Sequence, residues 1–331
     1  MKIPTRKKGR QSIAAKKTYE NSVIKFYAEL KLINEKLPFK VSSRGWCYIL
    51  EEHGLLKGQF KAAQDLINDG RKAGQLPINF TAQDGSRAFS CVQLTDETTP
   101  AEEASYIIER ALLAHDVYSP LKFWDYQNYY VELIVEKVDL KSLFQDQCKE
   151  FNIPVANAKG WSDINLRAEM IDRFSYWEAK GKIPVLLYCG DHDPAGINIS
   201  NLIKKNLNDL SAATGWTADN LIIDRFGLNY DFIQANNLTW IDNLETGAGR
   251  NLASPKHPDH FKPWVQDYIK AYGERKCEAN ALVVHIEIGR ELLKCTLDKY
   301  LSYEAINRFN ADTKIEREDV RLKVGELMRA A

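Results

Sequence analysis

The chain has 331 residues, 44% apolar and 27% charged side chains, which suits a water-soluble protein long enough for two packed domains. No apolar run reaches the ~18 to 20 residues that cross a bilayer, and the basic N-terminus lacks the apolar stretch of a secretory signal. Six cysteines scattered without a CxxC pair argue for reduced thiols and against structural zinc, so a cytoplasmic protein is expected.

Formal net charge is zero, so affinity for nucleic acid would have to come from local clusters. One such cluster opens the chain. Residues 1–18 carry Lys2, Arg6, Lys7, Lys8, Arg10, Lys16 and Lys17 and no acidic residue. A flexible basic arm of this kind is expected to bind phosphate backbones by releasing counterions. Helical spacing then runs from Tyr19 to Leu37, a second apolar segment holds Trp46-Cys-Tyr-Ile-Leu50, and a third amphipathic stretch covers Gln59 to Lys72. Ile78-Asn-Phe-Thr-Ala82 and Arg87-Ala-Phe-Ser-Cys-Val-Gln93 suggest a hairpin around Asp84-Gly85. Three helices and a hairpin make residues 19–94 a winged helix, with Arg71, Lys72 and Arg87 as phosphate contacts to double-stranded DNA.

Polar residues from Thr95 onward read as a linker, and Pro100 followed by acidic residues opens a connecting helix, so 95–127 joins two domains. From residue 128 the pattern changes to strands alternating with helices. Tyr129–Val135, Pro154–Ala158, Val185–Cys189 and Leu221–Arg225 are short apolar runs, with helical periodicity over Leu140–Cys148, Ile164–Ala179 and Ala195–Asn208. That alternation predicts an α/β fold with a Rossmann-like parallel sheet over 128–331, extended at its C-terminus by helices.

The chemistry gathers where these strands end. Side chains alternate in an extended segment, so Asp191 and Asp193 face the same way from the carboxyl end of one strand. Glu136 ends another strand of the same sheet and would meet them if the two strands are neighbours. Three carboxylates at one edge suit Mg²⁺, with Mn²⁺ as a substitute, and an ordinary Asp-Pro-Gly turn is the plainer reading. His192 alternates away and is expected to pack; His257 and His260 read as a solvated loop; Lys137 either touches a phosphate or balances the carboxylates.

Glu136 after one strand and Asp191-His-Asp-Pro-Ala-Gly196 after another resemble the Toprim domain, and most of residues 20 to 305 resembles the family of the topoisomerase VI A subunit and the meiotic double-strand-break transesterase. Arg44-Gly-Trp-Cys-Tyr48 is similar to that family's Arg-x-x-aromatic-Tyr motif, with Cys47 departing from it. Asn68–Pro77, Arg225-Phe-Gly-Leu228 and Cys277-Glu-Ala-Asn-Ala-Leu282 resemble further family segments, although Asn280 stands where Asp is usual. The resemblance implies that Tyr48 is a nucleophile forming a 5′-phosphotyrosyl link, assisted by Arg44. It also implies metal bound by Glu136, Asp191 and Asp193, and a homodimer in which the tyrosine of one chain completes the metal site of the other. No Gly-x-x-x-x-Gly-Lys-[Ser/Thr] motif occurs, so strand passage would need an ATPase subunit in trans. Two other readings stand beside this one: a Toprim nuclease using water, and a non-catalytic DNA-binding scaffold.

Overall fold

The computed structural model describes residues 3–5, 12–82, 98–157, 163–246 and 250–330. Helix α1 (Ile13–Asn34) starts at a serine cap, the Ala15 N–H donating to Ser12 Oγ at 3.2 Å. The helix thus begins inside the basic segment. Lys16 and Lys17 ride on its exposed first turns rather than on a flexible arm, because the cap supplies an acceptor for an otherwise unpaired N–H. Lys7 and Lys8 lie outside the described residues. Helix α2 (Ser43–Glu52) is capped in the same way by Ser42, which accepts from Gly45 N at 2.9 Å. A 3-10 turn (Lys57–Gln59) leads into α3 (Phe60–Lys72).

The expected hairpin is not formed in its first arm. Ile78–Ala82 is a chain of turns. Its backbone groups are spent locally and on neighbours: Phe80 N donates to Pro77 O, Ala82 N to Val41 O, and Arg71 Nε to Ile78 O. Phe80 is buried and stacks on Trp46 at 4.7 Å. The second arm, including Arg87, lies outside the described residues.

Thr99 and Glu102 form a capping box for α4 (Pro100–Leu112), where Pro100 was expected to open a helix. Two single-turn helices follow, α5 (Ala114–Val117) and α6 (Phe123–Tyr126). The α/β part then runs β1 (Tyr129–Val135), α7 (Val138–Glu150), β2 (Val155–Asn157), α8 (Ile164–Ala179), β3 (Ile183–Cys189), α9 (Pro194–Asn208), α10 (Ser211–Thr214) and β4 (Ile222–Gly227). Helices α11 (Tyr230–Ala235), α12 (Pro263–Tyr272), α13 (Ala281–Val284), α14 (Ile286–Leu297) and α15 (Tyr303–Ala330) complete the described chain. None of the described helices is long and apolar enough to cross a membrane.

The four strands form one sheet in the order β2-β1-β3-β4, and every pairing is parallel. All of β1 after Tyr129 and all of β3 after Ile183 are buried, because helices cover both faces. The chain leaves β1 towards one edge of the sheet and β3 towards the other. The carboxyl ends of β1 and β3 therefore flank the topological switch point, where such sheets open a crevice.

The helices before residue 82 do not hold a core of their own. One buried cluster runs from Phe26 and Trp46 through the sheet to Leu301. Asp139 at the start of α7 fastens α2 to the sheet, accepting from Ser42 N at 2.9 Å and from Ser42 Oγ at 3.2 Å. Gly45 permits that approach, since a Cβ there would fall 2.0 Å from Asp139 Oδ2. A Gly45→Ala variant is therefore expected to lose about 1 to 3 kcal/mol by overpacking. Gly58→Ala, whose Cβ meets open space, should change stability by no more than about 0.5 kcal/mol. Urea unfolding of both variants checks the pair.

Candidate functional site

The register of the two central strands builds the site. Val135 pairs with Cys189, so Glu136 and Gly190 are the first residues beyond the last rung, and Glu136 N donates to Cys189 O at 2.9 Å. Glu136 Oε2 then accepts from Asp191 N at 2.8 Å. The two strand-end acids are brought together, as adjacency of their strands required. A Cβ at Gly190 would lie 2.7 Å from Glu136 Oε2 and 2.5 Å from the Tyr188 hydroxyl, so glycine there is a steric need.

The chain stays extended through Asp193, at φ −143° and ψ 170°. His192 consequently turns away from both aspartates. It is buried among Tyr230, Trp240, Tyr268 and Tyr272, its Nδ1 donating to Leu228 O at 3.1 Å, and burial pushes the imidazole down to about 4. Asp193 caps α9, accepting from Gly196 N at 2.6 Å. Gly196 must also be small, because a Cβ would meet Asp191 O at 2.3 Å. Arg225 from β4 clamps the same loop, donating to Asp191 O at 2.7 Å and to Gly196 O at 3.1 Å.

Sequence reasoning missed Glu278. It lies almost fully buried just before α13 and faces three lysines: Lys57 Nζ at 2.6 Å, Lys137 Nζ at 2.9 Å and Lys276 Nζ at 3.2 Å. Lys137 Nζ is also 2.5 Å from Asp191 Oδ2 and 3.9 Å from Glu136 Oε1, so it balances the carboxylates. The other oxygen of Asp191 accepts from Ala279 N at 2.8 Å. The signal that could have found Glu278 was the segment Cys277-Glu-Ala-Asn-Ala-Leu282, with its family resemblance, where attention fell on Asn280 instead.

Electrostatically the cluster is short of positive charge on one side. Burial, then Glu136 and Glu278, hold the Asp191 carboxyl well above the usual range, against Lys137. Burial and Glu136 raise Asp193 too. Burial also pushes Glu278 up, but Lys137, Lys57 and Lys276 together outweigh it and keep that carboxyl well below its ordinary value. Three lysines settle Glu278; one lysine does not settle Asp191.

Tyr48 comes to this cluster from α2. Its ring centroid lies 4.6 Å from Lys137 Nζ and 5.6 Å from the Arg44 guanidinium carbon, and its edge packs on Phe60 at 5.4 Å. Arg44 and Tyr48 share a helix face, as their spacing predicts. The tyrosine stands beside Lys137 of its own chain, on a helix held to the sheet by Ser42–Asp139 and Lys57–Glu278. Arg71 is occupied by Ile78 O and by Asn68 Oδ1 at 3.2 Å, while Lys72 is exposed. His257 and His260 lie in a partly exposed loop, His260 Nδ1 bonding to Leu252 O.

Among the described residues, no group of three or more His, Cys, Asp or Glu side chains stands ready to hold a metal ion. The oxygens of Asp191, and one each of Glu136 and Asp193, accept from internal donors. The chemistry of the donor set nonetheless fits a hard dication, since Glu136, Asp191 and Asp193 offer anionic oxygens where Asp191 and Asp193 resist ionising without more positive charge. The buried Tyr188 hydroxyl, close to the place of Glu136 Oε2, has no protein partner. No family model, curated protein or solved structure matches the chain.

Glu51, on α2 below Tyr48, adds a pH-dependent element. Burial and then Glu278 push its carboxyl from 4.5 up to about 7, and its Oε2 has no hydrogen-bond partner. The folded chain holds this proton more tightly than the unfolded chain. Its stabilising contribution is therefore complete below pH 4.5 and is lost as pH rises through about 7. A Glu51→Gln variant should be more stable than the natural chain above pH 7 by about 1 to 3 kcal/mol, with the difference vanishing in acid. Unfolding curves collected across that range check the sign.

Proposed function

We propose that this protein cleaves DNA by transesterification in a Mg²⁺-dependent site, on a Toprim-like sheet preceded by a winged-helix-like set of three helices. The observation that carries the reading is convergence. Tyr48 from α2, Glu136 from the end of β1 and Asp191 from the end of β3 surround one lysine, Lys137, with Arg44 against the Tyr48 ring and Asp193 two residues beyond Asp191. A helix pinned to a sheet at its switch point is a suitable platform for holding a phosphodiester between a nucleophile and a cluster of acids.

In this reading the Tyr48 hydroxyl attacks a backbone phosphorus. A tyrosine–phosphate bond forms, the bond to the 3′ oxygen breaks, and the phenolic proton ends on the released 3′-hydroxyl by way of solvent. The link keeps the energy of the broken bond for resealing. Arg44, one turn before Tyr48, offers its guanidinium to a non-bridging phosphate oxygen. Glu136, Asp191 and Asp193 would hold the Mg²⁺, which when bound supplies positive charge for the phosphoryl and leaving oxygens. Gly190, Gly196 and Arg225 keep these acids in place. The duplex is gripped by the basic N-terminal residues and Lys72. A homodimer would deliver two such sites to opposite strands, and an ATPase subunit in trans would be needed for directed strand passage.

A second reading, a nuclease in which water attacks, is favoured by one observation. Tyr48 packs on Phe60 and lies near two cations, which accounts for its position without any chemistry. Supercoiled plasmid with Mg²⁺ or Mn²⁺ separates the readings. Transesterification leaves protein on 5′ ends after denaturation, and Tyr48→Phe abolishes both cleavage and link. Cleavage that survives Tyr48→Phe but disappears in Asp191→Asn assigns the reaction to water, and binding without cleavage leaves a scaffold. Deleting residues 1–17 should weaken DNA binding and flatten its dependence on salt; titrations at several salt concentrations would expose an unchanged slope, which would refute the role of the arm.

A further inference from the structure

We infer that Lys137 is an internal counter-ion occupying the cation position of the carboxylate cluster, and that a divalent metal can enter only as Lys137 withdraws. The inference rests on the proposed metal site and deepens it, because it names the residue that sets the site's affinity.

Four distances carry it. The Lys137 ammonium lies 2.5 Å from Asp191 Oδ2, 2.9 Å from Glu278 Oε2, 3.9 Å from Glu136 Oε1 and 4.6 Å from the centre of the Tyr48 ring. A metal held by Glu136 and Asp191 would draw on the same carboxylates as that ammonium, and two cations within about 4 Å repel strongly in a buried site. One of them must leave.

The surroundings make Lys137 the one that can. Glu278 keeps Lys57 at 2.6 Å and Lys276 at 3.2 Å, so withdrawal of Lys137 does not leave it unpaired. Asp191 keeps the Ala279 N–H at 2.8 Å. Lys137 itself sits at the N-terminal boundary of α7 in extended conformation, and its side chain caps nothing there. Its four-carbon stem can therefore swing without disturbing the helix. Opposite the acids, the Tyr48 ring lies 4.6 Å from its ammonium and offers a cation–π contact. Metal entry would send a positive charge from the acids towards the tyrosine and any phosphate held beside it.

The test compares the full chain with Lys137→Met, which keeps the stem and removes the charge. Mn²⁺ binding is followed by the paramagnetic resonance of free Mn²⁺, and Mg²⁺ binding by calorimetry. Thermal unfolding with and without metal is the second readout. The expected result is binding about tenfold tighter or more in Lys137→Met, with a lower melting temperature without metal and a larger rise on adding it. Equal or weaker binding by the variant overturns the role of Lys137 while leaving the metal site standing. If neither folded protein binds Mn²⁺, the metal site itself falls and the inference falls with it. Should Lys137→Met be unfolded without metal, Lys137→Gln is examined in its place. Recovery of either variant by Mn²⁺ supports the counter-ion role, and failure of both to recover overturns it.

Discussion

The arrangement depends on how one sheet end carries four carboxylates out of bulk water. Glu136, Asp191, Asp193 and Glu278 come within one another's fields, and isolated buried carboxylates would neutralise rather than remain charged. The chain answers with three lysines drawn from distant places. Lys57 precedes α3, Lys137 precedes α7, and Lys276 precedes α13. Each is a tie between elements as well as a counter-charge. Lys57 binds the Tyr48 segment to the α13 loop, and Lys137 joins the ends of β1 and β3 to Glu278. Breaking such a tie costs more than its Coulomb attraction suggests, because the partner is left buried and unpaired.

The neutral parts of the scaffold serve the same end. Parallel pairing of β1 with β3 sets Glu136 level with Gly190, and extended backbone through Asp193 sends the aspartates one way and His192 the other. Gly190 and Gly196 remove the two side-chain carbons that would collide with Glu136 and with the Asp191 carbonyl. Arg225 spends its guanidinium on backbone carbonyls of the acid loop rather than on a carboxylate. That choice fixes the loop without adding a fourth cation contact to the cluster.

Much of this was legible in the sequence, and the failures have definite causes. Strands bounded by Gly, Asp and Pro were found because burial on both faces makes them continuous apolar runs, and α8 was found with its bounds. Glu136 and the two aspartates were legible because strand ends are where sequence and sheet geometry coincide. Glu278 was not, since a residue far along the chain becomes a neighbour only through tertiary folding. The start of α1 was misplaced because a serine cap, rather than apolar spacing, decides it. The first arm of the hairpin failed because Phe80 is drawn inward onto Trp46 and its neighbours bond within a turn. That α2 and α3 share one buried cluster with the sheet was not legible for a related reason: apolar periodicity shows that a helix buries a face, but not what lies on the other side of it.

The position of Tyr48 has a consequence for how many chains a cleavage event would need. Where a tyrosine serves a partner's acids, an isolated chain is inert by construction, and dimerisation is itself the switch. Here α2 is bonded to the sheet of its own chain through Asp139 and Glu278, and Tyr48 lies within a single lysine of Asp191. Moving the tyrosine to another chain would break the Ser42–Asp139 and Lys57–Glu278 ties together and expose the buried face of α2, including Trp46 and Ile49. That face belongs to the common core, where each buried side chain contributes about 1.5 to 3 kcal/mol to holding α2 on the sheet. On this geometry Tyr48 already stands beside Lys137 and the acids of its own chain. The contest for the oxygens of Asp191, between Lys137 and the Ala279 N–H, likewise lies inside the chain.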